Sequence, residues 1–273
     1  YERKGNLFIE LFLDLVFTIN CFFKLKKTDI LIGNTFFSPL IARLFKFKFD
    51  KLIYNVQRVP KGQFFLYKNV NNFICPSSII KTILTKEKIG NRVSVVVIGN
   101  PVNLDIYQPK SPKFKLKTDE FQILYFGRIH KEKGLHVLVK ALSILSSKGF
   151  KLKLKLIGPY KEYEGGSGNQ YFNDLKKCFN NIDYVKPISS PEILSSHIHE
   201  SDIFCYPSLA EKGETFGVSV IEAMACGKPV VVSALSCFTD FVDDCKNGMI
   251  FNHKYENNFN DLADKIELLI ENK

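Results

Sequence analysis

Apolar residues follow two rhythms along this chain, and their alternation divides it. Short strand-like segments at residues 121–126, 151–157, 182–185, 203–206, 229–232 and 248–251 are separated by longer stretches with helical spacing. The run Pro229-Val-Val-Val232 has no polar residue alternating through it, which is the pattern of a strand buried on both faces, as in a parallel sheet covered by helices. The earlier part of the chain repeats the theme less regularly. Strands are expected at 29–33, 51–56, 72–75 and 93–98, with helices near 7–23, 39–45, 63–70 and 77–86; Pro39 and the Ser77-Ser78 pair supply helix starts. Between the two blocks, residues 106–118 are rich in Pro and Lys and have no period, so they read as a linker. The expected organisation is α/β throughout: residues 1–105, a linker at 106–118, and a second Rossmann-like domain at 119–273.

The length of 273 residues fits this division, since domains commonly run to roughly 100–150 residues. A hydrophobic fraction of 45% with 24% charged residues is enough apolar material for real cores and argues against disorder. The longest apolar stretch, 7–23, is interrupted by Glu10, Asp14 and Asn20, so it is a poor match to the roughly 20 apolar residues of a membrane span. A buried helix is expected there. The chain opens at Tyr1 rather than Met, and nothing ahead of Leu7 has the form of a signal peptide, so an earlier natural start is expected. Seven cysteines, at 21, 75, 178, 205, 226, 237 and 245, form no paired motif, which favours a reducing, cytoplasmic setting. His197 and His199, two residues apart on an expected helix, point to different faces, and no metal site is expected.

Charge separates the two halves. Residues 1–117 hold 20 Lys and Arg against 7 Asp and Glu, whereas 118–273 hold 18 against 21, so the +10 net charge is +13 on the first part and −3 on the second. A basic first half could face nucleic acid, anionic lipid or an acidic acceptor, or be simply a solvated lysine surface. Nucleic acid is disfavoured, because no helix gathers arginines with interleaved stacking aromatics on one face.

Two stretches carry candidate chemistry. In Leu124-Tyr-Phe-Gly-Arg-Ile-His-Lys-Glu-Lys-Gly134 a strand ends at Gly127 and a helix starts near Gly134. Ligands of doubly wound sheets bind at such strand ends, and Arg128 and Lys133 would set two cations there for a diphosphate. Taken alone, the stretch fits exposed loop charges equally well. The second stretch runs from Tyr206 to Val230, with a helix starting around Gly217. Backbone N–H groups of Phe216, Gly217 and Val218 would form a helix N-terminus able to hold an anion. Glu222 lies about one turn into this helix and Glu214 in the loop before it, so both carboxylates can accept hydrogen bonds from a hydroxyl-rich ligand. Flanks of Ile221, Ala223, Met224 and Ala225 imply that Glu222 is buried, where a carboxylate without a partner is costly.

At these residues the chain resembles the family 4 glycosyltransferases of group 1, which have the GT-B fold. Their signature of two glutamates with seven residues between them and a following Gly-x-Pro turn is matched by Glu214, Glu222 and Gly227-Lys-Pro229. The likeness also takes in Gly127-Arg128, Lys133-Gly134, Leu156-Ile-Gly-Pro159, Ile98-Gly-Asn-Pro101 and Asn247-Gly248. It implies two Rossmann-like domains, the first an incomplete acceptor-side domain because the usual opening strand and Gly-rich loop do not precede Leu7. It further implies sugar transfer from a nucleotide-diphosphate sugar to a glycan or lipid-linked acceptor, without a metal and with retention of configuration. Arg128 and Lys133 would bind the donor diphosphate, Glu214 the transferred sugar and Glu222 the ribose. Phe216, Gly217 and Val218 would add backbone donors, and Gly158, Tyr184 and Val185, with Gly127 nearby, would line the nucleotide site. Lys186-Pro187 stands where relatives commonly have a glycine. Where relatives carry an acceptor-side histidine, this chain offers Asn55, Gln57 and Arg58, which read first as ordinary strand-end polarity.

Two alternatives stand beside this reading: a non-catalytic nucleotide-sugar-binding remnant, and a phosphorylase-like enzyme using free phosphate. The basic and aromatic residues 45–49 give a further expectation, a peripheral membrane contact.

Overall fold

In the second half of the chain, strands form at or within a residue of the expected places. The structure, a computed structural model, describes residues 7–60, 62–68, 70–87, 93–110 and 120–272. The expected linker lies from residue 111 onward outside the described residues. Two compact units result, Arg3–Asn100 and Pro101–Lys273.

The first unit contains α1 (Leu7–Lys24), β1 (Thr28–Gly33), α2 (Ser38–Ile41), β2 (Phe49–Asn55), β3 (Asn72–Cys75), α3 (Ser78–Lys86) and β4 (Ser94–Val97). The strands form one parallel sheet in the order β1-β2-β3-β4, the sequential half of a doubly wound arrangement. Tyr54, Val56, Leu66, Tyr67, Phe73 and Ile80 fill its core, with the rings of Tyr54 and Tyr67 5.1 Å apart. The expected helix at 39–45 is cut to four residues. Beyond Ile41 the amides of Arg43, Leu44 and Phe45 bond three residues back rather than four, tightening the chain into turns. The expected helix at 63–70 is likewise a short 3-10 turn, Gln63–Tyr67, entered through Gly62 at φ +86°.

The aromatic and basic stretch 45–49 does not present a lipid-facing surface as a whole. Phe45 is buried against Phe22, and Lys48 Nζ donates to the carbonyls of Phe22, Phe23 and Leu25, each at 3.0 Å. An ammonium has three protons, and all three here close the C-terminal carbonyls of α1, where a cation also suits the helix dipole. Lys46 and Phe47 remain exposed. On α1 itself Phe8, Phe12, Leu13, Phe17 and Phe23 face outward, while Thr18 and Phe22 are buried. Among the described residues no helix is long and apolar enough to cross a membrane.

The second unit builds β5 (Glu120–Phe126), α4 (Leu135–Ser147), β6 (Lys151–Ile157), α5 (Gly168–Cys178), β7 (Ile182–Val185), α6 (Pro191–Glu200), β8 (Ile203–Tyr206), α7 (Val218–Ala225), β9 (Val230–Ser233), β10 (Met249–Phe251) and α8 (Asn258–Glu271). All strands pair in parallel, in the order β10-β9-β8-β5-β6-β7. The chain winds outward from β5 to β7, returns to lay β8 on the other side of β5, and winds outward again. Ile123, Leu124, Leu154, Leu156, Phe204 and Val230 are fully buried at the centre. The reversal between β5 and β8 is a topological switch point, and ligands of doubly wound sheets bind outside the carboxyl ends of the strands at such a point.

Candidate functional site

Both chemistry-bearing stretches of the sequence start at that switch point. β5 runs out through Gly127 and Arg128 into a 3-10 turn, Lys131–Lys133, and β8 through Pro207 into the loop that ends at α7. The two exits are tied together, since the amide of Leu209 donates to the carbonyl of Glu132 at 2.8 Å.

Lys133 and Glu214 meet at the centre of this crossing. Lys133 Nζ lies 2.7 Å from Glu214 Oε2, with side chains only 9% and 10% exposed. The same carboxylate oxygen accepts from Ser208 Oγ at 2.9 Å, and Lys133 sits over the Tyr206 ring, 5.6 Å from its centroid. Burial first, and then the Glu214 carboxylate beside it, push the Tyr206 phenol well above its ordinary range; it stays protonated and donates to Glu214. The carboxylate is therefore oriented by a cation and two hydroxyls and is nearly buried among them. Glu214 is not separate from the cationic pair expected in the sequence, but ion-paired with one member of it. Tyr206 and Ser208 were not among the expected site residues; the signal available was their place directly at a strand's carboxyl end.

Arg128, by contrast, is exposed. Its guanidinium donates to Glu132 Oε1 at 2.8 Å and to the Gly165 carbonyl at 3.2 Å. An ion pair at 48% and 37% exposure is weak, so an incoming phosphate could take over its partner's place.

Close backbone approach shapes the β5–β6 side. The amide of Gly127 bonds to Ile157, and that of Gly158 to Val185 at 3.2 Å, which aligns the ends of three strands. Gly158 has φ +142°, and a Cβ there would fall 2.0 Å from the Gly127 carbonyl oxygen, so no side chain fits. Beyond it, Tyr184 meets Tyr160 and Phe172 edge-on at 5.3 and 5.0 Å, while Tyr160 stacks on Phe172 at 4.5 Å. Tyr184 and Val185 are half-buried. The three rings form an aromatic cluster beside the strand ends, with Phe172 buried and Tyr160 and Tyr184 half-buried.

On the β8 side, Gly217 enters α7 at φ +87° and no side chain caps the helix. A Cβ on Gly217 would lie 2.5 Å from the Phe238 ring, and Phe216 is buried with its ring 5.1 Å from Phe241. Val218, the first residue of the helix, is exposed. The N-terminal amides of α7 are thus held by packed aromatics rather than by a capping hydroxyl. Glu222 is half-buried rather than fully buried as its apolar flanks imply. Burial raises its carboxyl above the usual range, opposed by a hydrogen bond from the Tyr107 hydroxyl. Tyr107 is itself buried, and Ser195 Oγ donates to the neighbouring Ile106 carbonyl at 3.0 Å, so the first residues of the expected linker are fixed on α6 and α7.

A cavity of about 480 Å³ opens elsewhere, lined by Met224, Lys228, Pro229, Asn247 and Met249. It lies at the amino ends of β9 and β10, the end of a parallel sheet that ligands do not use.

Comparison with known proteins bears on the family and the fold. Residues 107–273 match the family model of the glycosyl transferases group 1. The chain is 31% identical over 199 residues to the capsular polysaccharide biosynthesis glycosyltransferase CapM of Staphylococcus aureus, covering 70% of this chain and 49% of CapM. It is 28% identical to a D-inositol 3-phosphate glycosyltransferase of Paenarthrobacter aurescens, covering 65% of this chain and 43% of that protein. The chain thus spans about half the length of the curated relatives it matches. Among solved structures, Alr3699/HepE of Anabaena in complex with UDP and glucose superposes with a TM-score of 0.72 at 19% identity, covering 98% of this chain and 74% of that one. Sucrose-phosphate synthase of Thermosynechococcus elongatus does so at 0.72 and 20% identity, covering 89% and 64%. These likenesses show the GT-B fold, and with the family model spanning the whole of the second unit's sheet, the chain belongs to the group 1 glycosyl transferases.

Proposed function

We propose that the chain binds a nucleotide-diphosphate sugar at the carboxyl ends of β5 and β8 and transfers its sugar, with retention, to a glycan or lipid-linked acceptor. The buried Lys133–Glu214 pair carries this reading. A carboxylate already oriented by Lys133, Ser208 and Tyr206 is suited to accept hydrogen bonds from sugar hydroxyls. Lys133 and Arg128 then stand beside the diphosphate, and the N-terminal amides of α7 add partial positive charge. Glu222 is suited to a ribose hydroxyl, and the Tyr160–Phe172–Tyr184 cluster to a base, with Gly158 and Val185 alongside.

In the reaction the bond from the anomeric carbon to the diphosphate oxygen breaks, and the nucleoside diphosphate leaves with the electron pair. The acceptor hydroxyl oxygen forms the new glycosidic bond, and its proton passes to the departing phosphate. Two cations and a helix end offset the leaving-group charge without a metal. The structures of Alr3699/HepE with UDP and with UDP-glucose support a nucleotide sugar as the donor class. That all seven cysteines are free supports a reducing, cytoplasmic setting.

The test is to incubate the chain with a panel of labelled nucleotide sugars and measure nucleotide release, with Glu214→Ala and Lys133→Ala as controls. Turnover lost in both variants supports the reading. Binding without turnover would favour a non-catalytic binding remnant, and no binding to any donor would end it.

A peripheral membrane contact has a different basis from the one expected in the sequence. The outward Phe8, Phe12, Phe17 and Phe23 of α1, followed by exposed Lys24, Lys26 and Lys27, match an anionic bilayer surface in both polarity and charge. Flotation with anionic and neutral vesicles tests it; equal recovery with both, or no effect of Phe12→Glu, rules it out.

A further inference from the structure

The loop 207–217 delivers Glu214 to the site, and its inner and outer limbs are held differently. The inner limb is fastened to the sheet: Ser233 Oγ on β9 donates to the Ser208 carbonyl, and the Leu209 amide to Glu132. The outer limb, Glu211 to Gly213, is exposed on all three residues. It turns back so that the amides of Gly213 and Glu214 both donate to the Ala210 carbonyl, at 3.0 and 2.9 Å. Any displacement of Glu211 is therefore passed to Glu214 through a single tight turn.

Glu211 is tied from a third strand end. Its Oε1 accepts from His253 Nε2 at 2.8 Å and from Lys254 Nζ at 3.3 Å. His253 directly follows the β10 exit, and its side chain is only 4% exposed. Its own place is fixed by α8, where Asn258 Nδ2 donates to the His253 carbonyl at 2.9 Å. The imidazole has no other polar contact: Nδ1 is buried without a hydrogen-bond partner among the described residues. A buried polar ring that leaves one nitrogen unsatisfied spends its single bond on Glu211. The bond holds the Glu211 carboxyl below its usual range.

We propose that His253 and Glu211 form a latch that fixes the outer limb of loop 207–217 and so sets the position of the Glu214 carboxylate. They are positioning residues, acting through Glu214. The latch rests on the reading of Glu214 as the group that meets the transferred sugar. It joins the β10 exit to the loop after β8, so the site is held by the exits of β5, β8, β9 and β10 together.

Amide hydrogen exchange on the full chain tests the latch without any ligand. Exchange in 207–217 is expected to speed about tenfold in Glu211→Ala and His253→Ala, with wild-type rates in Lys212→Ala and largely restored rates in His253→Gln, which keeps a side-chain N–H donor. Because Glu211 is exposed, its variant keeps the fold if burial of His253 proves essential. Unchanged exchange in both alanine variants would overturn the latch. A second readout uses UDP-glucose and UDP as probes: the alanine variants are expected to weaken UDP-glucose about tenfold while leaving UDP nearly unchanged, since only the former carries a sugar for Glu214. Equal weakening of both would show that the pair does not act through Glu214. If the wild-type chain binds neither probe, the proposed donor fails for these compounds, and the exchange rates still decide the latch.

Discussion

Lys133 and Glu214 stand 81 residues apart in sequence and 2.7 Å apart in space, joining the turn after β5 to the loop after β8. The pair links stability with the proposed function, because the same two charges that hold the loops together are those proposed to meet the donor. Nearly buried ions of this kind are costly when one is left alone, and much less so when both are removed.

A double-mutant cycle follows from this. Lys133→Met and Glu214→Gln are each expected to lower unfolding stability by roughly 3 kcal/mol, with the double variant losing clearly less than their sum. Urea unfolding of the four proteins measures it; simple additivity would show that the pair is solvated and independent.

The carboxyl ends of β5, β6 and β7 are aligned through Gly158. Gly158→Ala forces a Cβ to 2.0 Å from the Gly127 carbonyl at a positive φ. A loss of at least about 1–3 kcal/mol is expected, together with weaker nucleotide binding, because the strand exits must separate. A thermal melt indistinguishable from wild type would contradict the packing described.

Lys48 is expected to matter for stability. Lys48→Met keeps the aliphatic stem but removes donors to three carbonyls, and is expected to cost roughly 1–2 kcal/mol. Lys46→Met, at an exposed neighbour, is the control and should be silent in the same denaturation assay.

A pH dependence follows from His136, whose imidazole is held below its ordinary value of 6.5 by burial first, then by Lys140 and Lys131. Just below pH 6.5 the unfolded chain therefore binds a proton that the native state does not, so stability must fall as pH drops from 6.5 toward the depressed native value. His136→Gln removes this contribution. Unfolding midpoints taken between about pH 7 and about pH 5.5 should fall more steeply for the wild type; parallel curves would exclude His136 as the source.

Much of the second unit was legible from periodicity alone. The expected strands 151–157, 182–185 and 203–206 coincide with β6, β7 and β8: the run 203–206 is apolar and buried at every position, while β6 alternates Lys with Leu at the two-residue period of a strand. The first unit was read less well. Residues 39–45 have a helical pattern, but the chain needs turns there to bury Phe45 and bring Lys48 to the end of α1. Short apolar segments follow such tertiary demands more than their own propensity.

For the site, spacing along the chain specified the local pieces: the glycine-lined strand end at 127, the seven-residue interval between Glu214 and Glu222, and the helix that starts after Gly217. These are fixed by residues within a turn or two of each other, so spacing reports them directly. The pairings came from the fold: Lys133 with Glu214, Glu222 with Tyr107, Glu211 with His253, and Lys48 with the carbonyls at the end of α1. Each joins segments brought together by strand order or helix packing, and the periodicity of a single segment does not encode which distant charge will stand opposite it.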